Sequence, residues 1–131
     1  MAMAYEYEFD RVRNYALFVH EDELDFADVV AGFKRLFAEP EFEAGVNVLR
    51  DMSGSFFPEN IAYDYLENMY ANEKGWIEDS LGDCRVAWVV GSPEDFAVLH
   101  RWLVRDRLST VPQDRKTFRR LEDARRWLGL S

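Results

Sequence analysis

Val86-Ala87-Trp88-Val89-Val90 places five apolar residues in a row, bounded by Arg85 on one side and by Gly91-Ser92-Pro93 on the other. A strand with one wet face alternates, so an unbroken β-branched and aromatic run belongs to a strand covered on both faces, the central position of a parallel sheet. The next residues agree with that. Ser92-Pro93-Glu94-Asp95 combines a hydroxyl cap, a first-turn proline and carboxylates favoured by the helix dipole, and Phe96, Leu99 and Leu103 carry a helical stripe to about Leu108. Strand followed by crossover helix is the unit from which parallel sheets are built.

The remaining chain repeats the alternation. Tyr5–Asp10 alternates apolar and acidic with period two and reads as an outer strand, turning at Arg13-Asn14 into a second apolar run at 15–19. Asp25 can cap a helix whose stripe is Phe26, Val29, Val30, Phe33, Leu36 and Phe37, and Pro40 stops it. A third strand is expected at 46–51, then a loop at 52–57 and a helical stretch from Pro58 carrying Ile61, Tyr65, Leu66, Met69 and Tyr70. Gly75 interrupts that stretch, leaving 76–81 as a further turn or a separate short helix. Residues 116–119 read as a short edge strand, and Leu121, Ala124, Trp127 and Leu128 as the stripe of a last helix ended by Gly129. The expectation is a single α/β domain over 1–131: a mixed, mostly parallel five-stranded sheet with four to five helices.

Composition narrows the function. With 131 residues and 48% apolar content, the chain can bury a core without disulfide or metal. Its net charge is −9, distributed as −14 over residues 1–97 and +5 over 98–131. So acidic a chain repels nucleic acid and anionic lipid at long range, and its longest apolar runs are too short to span a bilayer. Neither nucleic-acid binding nor membrane insertion is expected. The acidic opening residues lack the basic and apolar parts of a signal peptide, and one cysteine, Cys84, forms no internal disulfide; both point to the cytoplasm. Arg115, Lys116, Arg119, Arg120, Arg125 and Arg126 read first as a solvated face balancing the acidic remainder, and second as a seat for an anion or acidic partner.

Open α/β sheets bind ligands outside the carboxyl ends of their strands, near a switch in strand order. Two segments qualify. After the third strand, Asp51, Ser53 and Ser55 form a candidate binding loop or phospho-acceptor site, with capping and turn formation as the structural alternative. After the fourth, Ser92 opens a helix whose N-terminus could hold an anion, although Glu94 and Asp95 bring like charge there. The acidic cluster Glu21, Asp22, Glu23, Asp25 and Asp28 lacks the glycine and downstream glutamate of a calcium loop, and no metal or cofactor is expected. Phosphate-binding glycine motifs, nucleophile elbows and zinc signatures are absent, and Cys84 with His100 reads as packing, so no catalytic residue is assigned. Trp88 and Trp127 fall on core periodicity; Trp76 and Trp102 are expected to be partly exposed, where a flat aromatic surface would suit a homodimer.

Three segments carry a family resemblance: Phe42-Glu-Ala-Gly-Val-Asn-Val-Leu-Arg-Asp51, Arg85-Val-Ala-Trp-Val-Val90 and Phe118-Arg-Arg-Leu-Glu-Asp-Ala-Arg-Arg-Trp-Leu-Gly-Leu130. Together they resemble the bacterial SpoIIAA-like proteins, also called STAS/SEC14-like domains. The resemblance implies a four- to five-stranded sheet with helices and non-enzymatic work, either protein switching, as in anti-sigma-factor antagonists, or small-molecule and lipid binding. The antagonists' phosphoswitch has a serine directly after an aspartate; here Met52 follows Asp51, so Ser53 and Ser55 carry over only as candidates. The expected function is a regulatory or binding domain acting through protein contacts as a homodimer, with carriage of a small apolar or lipid-like ligand as the alternative.

Overall fold

The computed structural model describes residues 5–57, 74–106 and 113–130. In order the elements are β1 (Tyr5–Asp10), β2 (Tyr15–Glu23), α1 (Phe26–Phe37), β3 (Asn47–Phe56), α2 (Lys74–Leu81), β4 (Cys84–Val90), α3 (Pro93–Asp106), β5 (Gln113–Phe118) and α4 (Leu121–Trp127). The helical stretch expected from Pro58, and the residues around Leu108 and Pro112, lie outside the described residues.

All five strands form one sheet in sequential order, β1 antiparallel to β2 and every later pair parallel. The hairpin turns through Asn14 at φ 58°, a left-handed conformation that asparagine tolerates better than most residues, and its side chain donates to the Gly45 carbonyl at 2.9 Å. The expected cap of α1 is formed: Asp25 accepts from the Ala27 amide at 2.9 Å.

Sequential order distributes the helices unequally. Ala16, Phe18, Val48, Met52, Val86, Trp88 and Val90 pack one face of the sheet against Phe33 and Leu36 of α1, Ile77 and Leu81 of α2, and Leu99, Trp102 and Leu103 of α3. On the other face, Leu49, Ala87, Val89 and Phe118 pack against Ala124 and Leu128 of α4. Because the strand order never reverses, the sheet has no switch point. The crevice that a doubly wound sheet opens at its carboxyl edge is therefore not generated here.

Several expectations are corrected. Residues 52–56 are strand rather than loop, because Gly54, Ser55 and Phe56 pair with Glu21, Asp22 and Glu23 beyond an irregularity in β2. Strand β5 begins at Gln113, since its early polar residues pair with Cys84 and Arg85 and give no apolar signal. Trp102, on the inner side of α3, is buried at 4% exposure rather than at the surface. The 15–19 run is not fully covered: Leu17 and Val19 stay half-buried because α4, seven residues long, reaches mainly β3, β4 and β5. Residues 74–81 form the separate short helix.

Candidate functional site

The two carboxyl-end segments meet through their backbones. A Cβ placed on Gly91 would collide with the Ser53 carbonyl oxygen, so only glycine permits this approach of β3 to the start of α3. Asp51 turns back on its own strand, its Oδ1 accepting from the Ser53 amide at 3.0 Å and the Ser53 hydroxyl at 2.6 Å. Ser53 faces solvent, whereas Ser55 is buried and donates its hydroxyl to the Asp22 carbonyl at 2.6 Å. Ser92 caps α3, its Oγ accepting from the Asp95 amide at 3.1 Å, and Asp95 in turn accepts from the Phe57 amide at 3.3 Å. Burial raises the Asp95 carboxyl above its usual range, against the pull of these hydrogen bonds. The helix start is thus capped by the Ser92 hydroxyl, while the Asp95 carboxylate in its first turn is engaged by Phe57.

Two buried titratable groups, His20 and Cys84, are held uncharged. His20, at 3% exposure, is pushed down to about 3, first by burial and then by the positive charge of Arg50. Burial, assisted by Asp83, pushes the Cys84 thiol up to about 12. His100 is exposed on α3, stacked on Phe96 with ring centroids 5.7 Å apart. Among the described residues no group of three His, Cys, Asp or Glu side chains is placed to hold a metal.

The polar chemistry inside the protein lies elsewhere, on the helix-covered face. Register places Arg50, Trp88 and Thr117 in one row across β3, β4 and β5, and Val48, Val86 and Arg115 in the next. Arg50 is 1% exposed, its guanidinium carbon 4.2 Å from the Trp88 ring centroid and 5.9 Å from that of Phe33. A cation over an aromatic face in a desolvated setting gains about 2 kcal/mol from the ring quadrupole. Arg115 sits 5.8 Å from the Trp102 ring and 3.8 Å from the Glu78 carboxylate. The side chain of Gln113 is locked beside them: its Nε2 donates to the carbonyls of Glu78 at 2.9 Å and Gly82 at 2.7 Å, capping the end of α2. Its Oε1 and the Thr117 hydroxyl are buried with no hydrogen-bond partner among the described residues.

These groups surround a recess between the sheet and α2, with Phe33, Ile77, Leu81 and Trp88 as apolar walls and Arg50, Glu78, Gln113 and Arg115 as polar ones. It is shallow and opens to solvent at its mouth. Of these polar residues the sequence named only Arg115, as part of a solvated face or a seat for an anion; Arg50, Glu78 and Gln113 were not singled out. Arg115 is corrected most sharply, from a solvated arginine set to a side chain 10% exposed. For Arg50 a signal did exist: Val46, Val48 and Met52 share its period-two face, so a charge fell on an inward position. Arg119, Arg120 and Arg126 remain exposed as expected, with Arg120 paired to Glu122 and Arg126 to Asp123.

The fold has a solved counterpart. The chain is similar to the crystal structure of an uncharacterized protein from the DUF3478 family with a SpoIIAA-like fold, from Shewanella loihica PV-4. The TM-score is 0.57 at 19% sequence identity, over 95% of this chain and 92% of that one. No family model and no curated protein matches the chain. Agreement along nearly the whole length, at so low an identity, speaks to architecture and not to activity. The α/β architecture read from strand order and helix placement is thus a SpoIIAA-like fold.

Proposed function

We propose that this domain acts by binding rather than by catalysis, and that a small ligand occupies the recess between the sheet and α2. One observation carries the reading: buried polar side chains, Arg50 and Gln113 among them, line an open recess between apolar walls. A core selected for stability alone gains little from an arginine or an unsatisfied amide, since apolar residues of similar volume serve as well or better. The neutral states of His20 and Cys84 also support binding over proton transfer or nucleophilic attack. Cys84, the single thiol, suits the reducing cytoplasm.

The test is native mass spectrometry of the protein purified gently from its host. A discrete bound mass is expected, and it should be lost when Leu81→Trp fills the recess. Repeatedly ligand-free spectra of the wild type would overturn the reading.

A second reading, contact with another copy or a regulatory protein, is favoured by the partly bare sheet face, where Val19 lies half-buried beside the exposed Glu6. Light scattering at high micromolar concentration checks it; a monomer removes the homodimer.

A further inference from the structure

Resting on the second reading, in which the partly bare sheet face meets another copy, we infer that two chains join face to face about a twofold axis running along the strands, so that β1 and β2 of each lie against β5 and α4 of the other. Register polarises this face. One row crosses it from Glu8 through Leu17, Leu49 and Ala87 to Lys116, and the next from Glu6 through Val19, Asp51 and Val89 to Phe118. Glu6 and Glu8 are exposed at the β1 end, whereas Lys116 on β5 and Arg119, Arg120 and Arg126 around α4 are exposed at the other. The Arg120–Glu122 and Arg126–Asp123 pairs are local and solvated, so they hold those guanidiniums only weakly.

The charge pattern selects the occupant. A chain of net charge −9 repels its copies at a distance, so a stable pair must set unlike ends together. A twofold axis along the strands, midway between two facing sheets, reverses strand order and lays each row over its own equivalent; Glu6 and Glu8 then meet the basic end of the second copy, twice over. Shape agrees with charge. Helix α4 stands mainly on β3, β4 and β5, which leaves β1 and β2 as a lower shelf, and a reversed copy presents its own α4 to that shelf. Leu121, 37% exposed although it opens the apolar stripe of α4, gains an apolar seat beside the half-buried Leu17 and Val19.

Two experiments on the whole chain test this. Glu8 and Lys116 end one row at opposite edges of the sheet, four strand spacings or about 19 Å apart, so a zero-length carbodiimide link from Lys116 to Glu6 or Glu8 forms only between copies. That link is expected in the wild-type dimer, read by mass spectrometry after digestion. The second experiment exchanges charge and follows dimerisation by light scattering. Glu6→Lys with Glu8→Lys takes the net charge from −9 to −5, two units per residue, which general repulsion would reward; the dimer should nevertheless weaken about a hundredfold. Lys116→Glu with Arg126→Glu should weaken it similarly, and mixing the two variants should restore it, because each then offers the other its unlike ends. All four positions are exposed, circular dichroism checks folding, and the wild-type link is read without any variant. A wild type that stays monomeric at high micromolar concentration removes this pairing and the homodimer together, and leaves the face to a partner of another kind. A wild-type dimer without the Lys116 link, or variants that do not recombine, overturns the pairing and leaves a homodimer joined elsewhere.

Discussion

The two faces of the sheet are built on opposite rules. Under α4 the buried set is Leu49, Ala87, Val89, Phe118, Ala124 and Leu128, all apolar, with Arg119, Arg120 and Arg126 outside in solvent. Under α1, α2 and α3, the interior admits Arg50, His20, Gln113 and Thr117 among its apolar residues. One face is organised by shape and hydrophobic burial, which act without direction; the other also contains directional groups whose partners must be placed individually. The contrast teaches where stability is most easily gained, because a buried polar atom without a partner, such as the Thr117 hydroxyl, is a cost that packing alone would remove.

The largest effect should come from the apolar face. Leu49→Ala deletes a fully buried side chain from β3 and should cost about 2–5 kcal/mol in urea unfolding. A loss below about 1 kcal/mol would mean that α4 collapses readily into the gap, and the two faces would then differ little in how tightly they pack.

Next comes acid sensitivity of the polar face. His20 has a folded pKa of about 3 against 6.5 unfolded, so between these values the unfolded chain takes up a proton that the folded one refuses. Stability is unaffected above pH 6.5 and falls as pH drops toward 3, by at most about 1.4 kcal/mol per pH unit. Asp95 acts in the opposite sense, since its raised pKa makes the folded state the better proton acceptor. Melting temperatures from pH 7 to 4 should therefore fall more steeply in wild type than in His20→Gln; parallel curves would mean that His20 is not the source of the acid sensitivity.

The smallest effect has the opposite sign. Thr117→Val replaces an unpartnered buried hydroxyl by a methyl group and should stabilise by about 1 kcal/mol. Destabilisation would show that the hydroxyl is satisfied in solution, and the polar face would then be closer to the apolar one in its energetics.

Much of this was legible in the linear chain. The 86–90 run is the inner strand β4, flanked by β3 and β5, and the Asp25 and Ser92 caps start α1 and α3 as their side-chain chemistry requires. Illegible were the segments whose structure is held by pairing instead of by pattern. The polar tail of β3 and the polar start of β5 become strands only because a neighbour supplies their hydrogen bonds. The recess was hidden for the same reason. Gln113, Arg115 and Arg50 are ordinary polar residues on separate strands, and only register brings them to one face beneath α2.

Local physics, meaning hydrophobic period, capping hydroxyls and turn residues, was enough to determine element type and the α/β class, because each of those signals acts over a few neighbouring residues. Which end or face of the sheet carries the chemistry was decided only in three dimensions. Strands kept in sequential order put α1, α2 and α3 on one side and no reversal in the sheet, β3 approaches the start of α3 closely at Gly91, and the polar groups were gathered under α2. Register and helix placement are long-range quantities, set by burial across the whole domain, and no window of the chain contains them.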